Sequence, residues 1–111
     1  MALFSSIRFD SDGTYYVSGQ LPADCTASVK DQTASSLAAI DRILSEQGLE
    51  KDSILRMSVY VVDIAKIAEV NEAYAEFFEG VEMLPARSAF GVTGLVNGAA
   101  VEIDCIGKRS A

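Results

Sequence analysis

Residues 54–80 read ILRMSVYVVDIAKIAEVNEAYAEFFEG, and this stretch decides the fold. Residues 54–62 alternate in side-chain character and are rich in β-branched side chains, which favours a strand. Asp63 then suits the N-cap of a helix over 64–79, whose apolar residues recur at helical spacing until Gly80 ends it. A strand that leads directly into a helix of this length predicts a crossover in a sheet with helices packed on it.

The segment before this stretch repeats the strand-then-helix order. Residues 3–9 and 14–18 are apolar and aromatic-rich, and they flank the Asp-Ser-Asp-Gly sequence at 10–13, which predicts a hairpin. Residues 28–47 then carry apolar side chains at helical spacing, with Ser28 as a plausible N-cap. We therefore expect two strands and one helix in the N-terminal half.

The C-terminal part predicts two more strands, at 87–93 and 99–107, joined through a turn at 96–98. The resulting order ββαβαββ indicates one α+β domain over residues 1–111, a mixed sheet with both helices on one face. The second face of that sheet would be too apolar for water and too polar for a sealed core. We therefore expect a homo-oligomer in which this face is covered by other subunits.

Composition removes several kinds of chemistry. The 111 residues include 16 acidic and 9 basic side chains, a formal charge of 9 − 16 = −7, and no histidine. The absence of histidine excludes Ser-His-Asp and Cys-His relays and the common zinc sites, so we expect no metal. The negative charge argues against nucleic acid as a partner. Without an apolar leader or a membrane-spanning run, and with Cys25 and Cys105 read as free thiols, the sequence favours the cytoplasm.

Arg87 and Glu102 are the candidate residues for chemistry. Arg87 follows Pro85 at the start of a strand, where it could be a salt-bridged structural arginine or a bidentate clamp for a carboxylate. Glu102 is expected on a neighbouring strand, as an exposed glutamate, as the partner of Arg87, or as a base that orients water. The residue types leave these alternatives open.

Five segments together resemble the RidA/YjgF family of reactive-intermediate deaminases. The similarity runs in order over residues 14–109, and no single motif decides it. The segments are YVSGQLP at 16–22, residues 49–62, VNEAYAEFF at 70–78, PARS at 85–88 and VEIDCI at 101–106. The resemblance implies a chorismate-mutase-like fold that assembles into a homotrimer with clefts between subunits.

The same resemblance implies an activity and a site. Members of the RidA type hydrolyse enamine or imine intermediates such as 2-aminoacrylate to a 2-oxo acid and ammonia, without a cofactor. On this sequence the catalytic positions would be Arg87, which holds the substrate carboxylate, and Glu102, which activates water. Ser18 and Gly19 would line the cleft and bind the same small carboxylate ligand.

Three departures from the family pattern point to a divergent subgroup with a different ligand. No tyrosine stands near residues 4–6, the loop after Pro22 is short, and Ala89 takes a position that is often cysteine. A non-catalytic protein that binds 2-oxo acids on the same trimeric scaffold is the alternative. Endoribonuclease activity is the weakest of the three, because the chain is acidic and lacks a basic patch.

Overall fold

Five strands and two α-helices follow one another in the expected order in the computed structural model, which describes residues 1–110. The bounds agree with the sequence-based prediction within a few residues for most elements. The strands are β1 Ile7–Phe9, β2 Thr14–Gln20, β3 Ile54–Val61, β4 Ala86–Gly91 and β5 Val101–Lys108, and the helices are α1 Val29–Glu46 and α2 Ile67–Phe77.

Two elements are much shorter than predicted, whereas the lengths of the others differ by one or two residues. Strand β1 covers three residues only, because residues 5 and 6 offer their carbonyl groups to Ser18 and form no ladder. The second helix is preceded by a separate 3₁₀ turn over Ile64–Lys66. Asp63 caps this turn, since its Oδ1 accepts a hydrogen bond from the amide of Ala65 at 3.1 Å. The predicted cap is therefore present, and it stabilises the turn that leads into α2.

The sheet is mixed and has the strand order β1-β2-β5-β3-β4. Only β3 and β4 are parallel, and the other three pairs are antiparallel. The last strand, β5, lies at the centre and separates the N-terminal hairpin from β3. The expectation that Glu102 lies on a strand next to that of Arg87 is therefore wrong, because β3 runs between β4 and β5.

Both helices pack on one face of the sheet and form the core there. The helical stripe predicted for α1 is buried in full, and in β5 Val101, Ile103 and Cys105 point to the same interior. Each fully buried aliphatic side chain of this kind contributes about 1.5–3 kcal/mol relative to an exposed one. The buried residues of the α1 stripe are Val29, Thr33, Leu37, Ile40 and Leu44.

The second face of the sheet carries no helix and mixes polar with apolar side chains. Tyr60 donates to Asp104 at 2.9 Å, and Arg56 donates to Ser88 at 2.7 Å. Phe90 stacks on Tyr60 with ring centroids 5.7 Å apart and remains 45% exposed. We call this surface the open face. Within residues 1–110, no helix is both long enough and apolar enough to cross a bilayer.

Candidate active site

Arg87 lies on the helix-covered side of the edge strand β4. It pairs with buried Met57 of β3, and paired residues project from the same face of a sheet. Its Nη1 donates to Oδ1 of Asn71 at 2.8 Å, and its Cζ lies 4.8 Å from the ring centroid of Tyr74. Helix α2 therefore holds the guanidinium by one hydrogen bond and one cation–π contact.

The Tyr74 hydroxyl is buried beside this arginine and has no hydrogen-bond partner within residues 1–110. Burial raises the pKa of Tyr74, and the nearby charge of Arg87 lowers it by a smaller amount. The hydroxyl therefore stays protonated at neutral pH. Among residues 1–110 it is an unpaired donor inside the fold, on the ring over which the Arg87 guanidinium lies.

Asn71 and Tyr74 are the site residues that the sequence-based reasoning missed. Tyr74 stands in the apolar pattern of the second helix and contacts the core, so its spacing indicates packing. Asn71 lies three residues earlier, one helical turn away on the same side. The sequence does contain one signal for this contact. It is a polar side chain one turn from Tyr74, in a helix that precedes the strand with Arg87.

Glu102 lies on the open face, on the central strand β5. It pairs with Tyr60, and its carboxylate rests against Gly19 of β2. A Cβ added at Gly19 would overlap that carboxylate and would lie 2.9 Å from its Cδ. No salt bridge among residues 1–110 involves Glu102. The absence of a side chain at Gly19 thus leaves room for the half-buried carboxylate of Glu102. No cation of the described chain forms a salt bridge with this carboxylate.

Ser18 precedes Gly19 and anchors the N-terminal segment. Its hydroxyl donates to the carbonyl of Ser5 at 2.6 Å, and its amide donates to the carbonyl of Ser6 at 2.9 Å. The hydroxyl of Ser18, which was predicted to bind the ligand, therefore already donates its one hydrogen bond within the chain. The structure brings Ser18, Gly19 and Glu102 together at one end of β2.

Arg87 and Glu102, in contrast, are kept apart. They lie on opposite faces of the sheet and on strands that β3 separates. A cavity of about 500 Å³ between residues 49–52 and 80–83 contains neither of them. Residues 1–110 hold no group of three or more His, Cys, Asp or Glu side chains placed to bind a metal ion. The chain thus presents a cation site and a carboxylate site separately.

The fold and these residues define a class of small two-layer α+β proteins with a five-stranded mixed sheet. Comparison with known proteins identifies the class further. Residues 1–108 match the family model described as Endoribonuclease L-PSP. A rat 2-iminobutanoate/2-iminopropanoate deaminase is 33% identical over 101 residues, which cover 86% of this chain and 72% of that protein. The chain therefore belongs to the RidA/YjgF family, which this family model represents.

Solved structures agree with this membership. The YjgF gene product of Escherichia coli superposes with a TM-score of 0.88 at 30% identity, covering 96% of this chain and 88% of the other. E. coli TdcF, solved with bound serine, gives a TM-score of 0.89 at 29% identity, covering 99% and 91%. The predicted α+β fold, with two helices on one face of a mixed sheet, is confirmed.

Proposed function

We propose that the protein hydrolyses reactive enamine or imine intermediates of the 2-aminoacrylate type to 2-oxo acids and ammonia, without a cofactor. The observation that carries this proposal is Arg87, whose guanidinium is held by Asn71 and Tyr74 and has no carboxylate partner within residues 1–110. An arginine held in this way, beside a buried hydroxyl, is suited to bind the carboxylate of an amino-acid derivative. The deaminase name of the rat relative supports the same activity.

The chemistry requires one water molecule and a proton acceptor. Arg87 binds the substrate carboxylate and fixes the position of the C=N carbon. Glu102 accepts a proton as the water oxygen bonds to that carbon, while the C=N electron pair takes up a proton on nitrogen. The proton on Glu102 then passes to the amino nitrogen of the amino alcohol. The C–N bond breaks as the hydroxyl gives its proton to Glu102, so that ammonia leaves and the carbonyl forms, and Glu102 finally releases this proton to solvent. Imine plus water thus becomes a 2-oxo acid plus ammonia, with Ser18 and Gly19 lining the cleft.

The active unit in this proposal is a cytoplasmic homotrimer in which residues 1–111 form one domain. Because Arg87 and Glu102 occupy opposite faces of one sheet, a complete site needs Arg87 from one subunit and Glu102 from its neighbour. The neighbouring subunits would cover the open face. There Phe90 is 45% exposed and lies among hydrogen-bonded polar pairs.

The activity is tested with an imine generated in situ by an amino-acid oxidase, with release of ammonia and 2-oxo acid as the readout. Arg87→Ala should lower kcat/KM by at least about 30-fold, because removal of one partner of an enclosed charge pair costs several kcal/mol. Arg42→Ala, on the exposed side of α1, is the matched control and should retain full activity. Equal rates for wild type and Arg87→Ala would contradict the proposal.

The shared site is tested by mixing two inactive variants. Arg87→Ala and Glu102→Gln chains, unfolded and refolded together in equal amounts, should regain about a quarter of the wild-type activity if trimers form at random. Each variant refolded alone should remain inactive. A mixture as inactive as its components would show that the two residues do not meet across subunits, and a monomer in gel filtration would exclude the trimer.

Binding of a small carboxylate without turnover is the second candidate, and the bound serine in E. coli TdcF is the observation that favours it. In that case pyruvate or 2-oxobutanoate should raise the melting temperature of wild type and not of Arg87→Ala. The oxidase-coupled assay would then give the same rate of imine decay with and without the protein.

A further inference from the structure

Arg8 is a second arginine on the open face, at the opposite side of the sheet from β4. It pairs with Tyr16 in the β1–β2 hairpin, and both side chains are exposed. The cavity here measures about 400 Å³, within the range typical of small-molecule sites. Its walls come from the N-terminal segment and the hairpin, and they are Phe4, Ser5, Arg8, Tyr16, Val17 and Ser18.

The charge of Arg8 is not neutralised by the chain. Within residues 1–110 its guanidinium takes part in no hydrogen bond and no salt bridge, whereas Arg56 donates to Ser88 and Arg109 donates to the carbonyl of Gln47. A guanidinium is always charged and has five donors to satisfy. In a chain with a net charge of −7, this unpaired cation in the wall of a cavity is available to an anionic group.

This cavity adjoins the carboxylate of Glu102. Ser18 belongs to the cavity wall, and the next residue, Gly19, is the one against which Glu102 rests. Arg8 pairs with Tyr16 of β2, and Gly19, against which the Glu102 carboxylate rests, lies three residues further along that strand. The backbones of Arg8 and Gly19 are therefore about 11 Å apart, one strand spacing across and three residues along. An arginine side chain can bridge most of this distance. The cation and the carboxylate can therefore contact different parts of one small molecule.

We propose that Arg8 binds a second anionic group of the substrate, which makes the site selective for 2-imino acids that carry a distal carboxylate. This inference rests on the proposed imine hydrolysis. Arg87 would hold the carboxylate next to the reacting carbon, and Arg8 the one at the far end of the molecule. A single guanidinium matches one negative charge, and this favours a carboxylate over a doubly charged phosphate.

The test compares imines formed in situ from L-glutamate and from L-alanine, using the intact protein. Arg8→Ala should lower kcat/KM for the glutamate-derived imine by about 10- to 100-fold, the range for a lost hydrogen-bonded charge contact, with a loss under about threefold for the alanine-derived imine. Arg8→Lys should recover part of the activity. Arg42→Ala again serves as the control, and thermal unfolding of each variant monitors the fold.

The outcomes separate this inference from the proposed function. Equal losses for both imines, or no loss for either, would overturn the role of Arg8 while the hydrolysis itself stands. If wild type hydrolyses neither imine, the proposed function fails, and binding then decides the role of Arg8. In that case 2-oxoglutarate should raise the melting temperature more than pyruvate does, and only with Arg8 present. The same increase for both compounds would contradict the inference.

Discussion

The two faces of the central strand β5 differ in what they do for the protein. On the covered face, Ile103 and its two neighbours at alternate positions are buried by the helices and complete the core within one chain. On the open face, Glu102 and Asp104 keep polar groups at the surface, and Glu102 has no cation partner among the described residues. The covered face of β5 thus stabilises the fold, whereas its open face carries a residue of the candidate site.

Neighbouring residues of β5 should therefore respond to substitution in different ways. Burial predicts the cost to stability on the covered face. On the open face, the cost should fall on binding, turnover or assembly.

Ile103→Ala should lower the free energy of unfolding by about 2–5 kcal/mol, because it leaves a cavity under the helices. Glu102→Gln, one residue away, should change it by no more than about 0.5 kcal/mol and should abolish imine hydrolysis. Urea unfolding and the oxidase-coupled assay measure the two quantities. A large stability loss in Glu102→Gln would mean that the two faces are not independent.

Gly19→Ala should affect the open face alone. The added methyl group overlaps the Glu102 carboxylate, so we expect a loss of about 1 kcal/mol in the free energy of unfolding and a lower kcat. In a Glu102→Ala background the same change should cost almost nothing, since the overlapping group is gone. An equal cost in both backgrounds would show that the contact with Glu102 is not what requires glycine.

Burial of Cys105 on the covered face should also make the free energy of unfolding depend on pH. Burial raises the pKa of the Cys105 thiol from 9.0 to about 12 in the folded chain, with a smaller contribution from the charge of Asp104. Below pH 9 the thiol is protonated in both states and its contribution is complete. Between pH 9 and 12 only the unfolded chain ionises, so the free energy of unfolding should fall by about 1.4 kcal/mol per pH unit from this group.

Urea unfolding at pH 8, 9 and 10 measures this slope. Cys105→Ala should be less stable at every pH, since it removes buried volume, but its stability should decline less between pH 9 and 10. Identical slopes for wild type and Cys105→Ala would mean that the thiol is as accessible in the folded chain as in the unfolded one.

Local pattern was sufficient to predict the elements. The period of apolar residues placed α1 within one residue of its bounds, and Ser28 caps it as expected, since its Oγ accepts from the amide of Asp31. Gly48 has the positive φ of 69° that a helix-ending glycine supplies. These features depend on residues close in sequence, so the sequence alone can indicate them.

The order of the strands was not predictable in the same way. Insertion of β5 between β2 and β3 depends on pairing over many tens of residues, and no local signal encodes it. For this reason the sequence could indicate Arg87 and Glu102 as chemically suited residues but could not place them on opposite faces. The contact of Asn71 with Arg87 likewise depends on how α2 packs beside β4.

The central position of β5 also has a consequence for synthesis. This strand is the last of the five to be translated, and it pairs with β2 and β3 on either side, from Thr14–Lys108 to Val61–Val101. Until it emerges, the ribosome-bound chain has only a short hairpin and one parallel strand pair, neither of which is stable alone. The sheet must therefore close after translation of β5, so that folding is a late and concerted event.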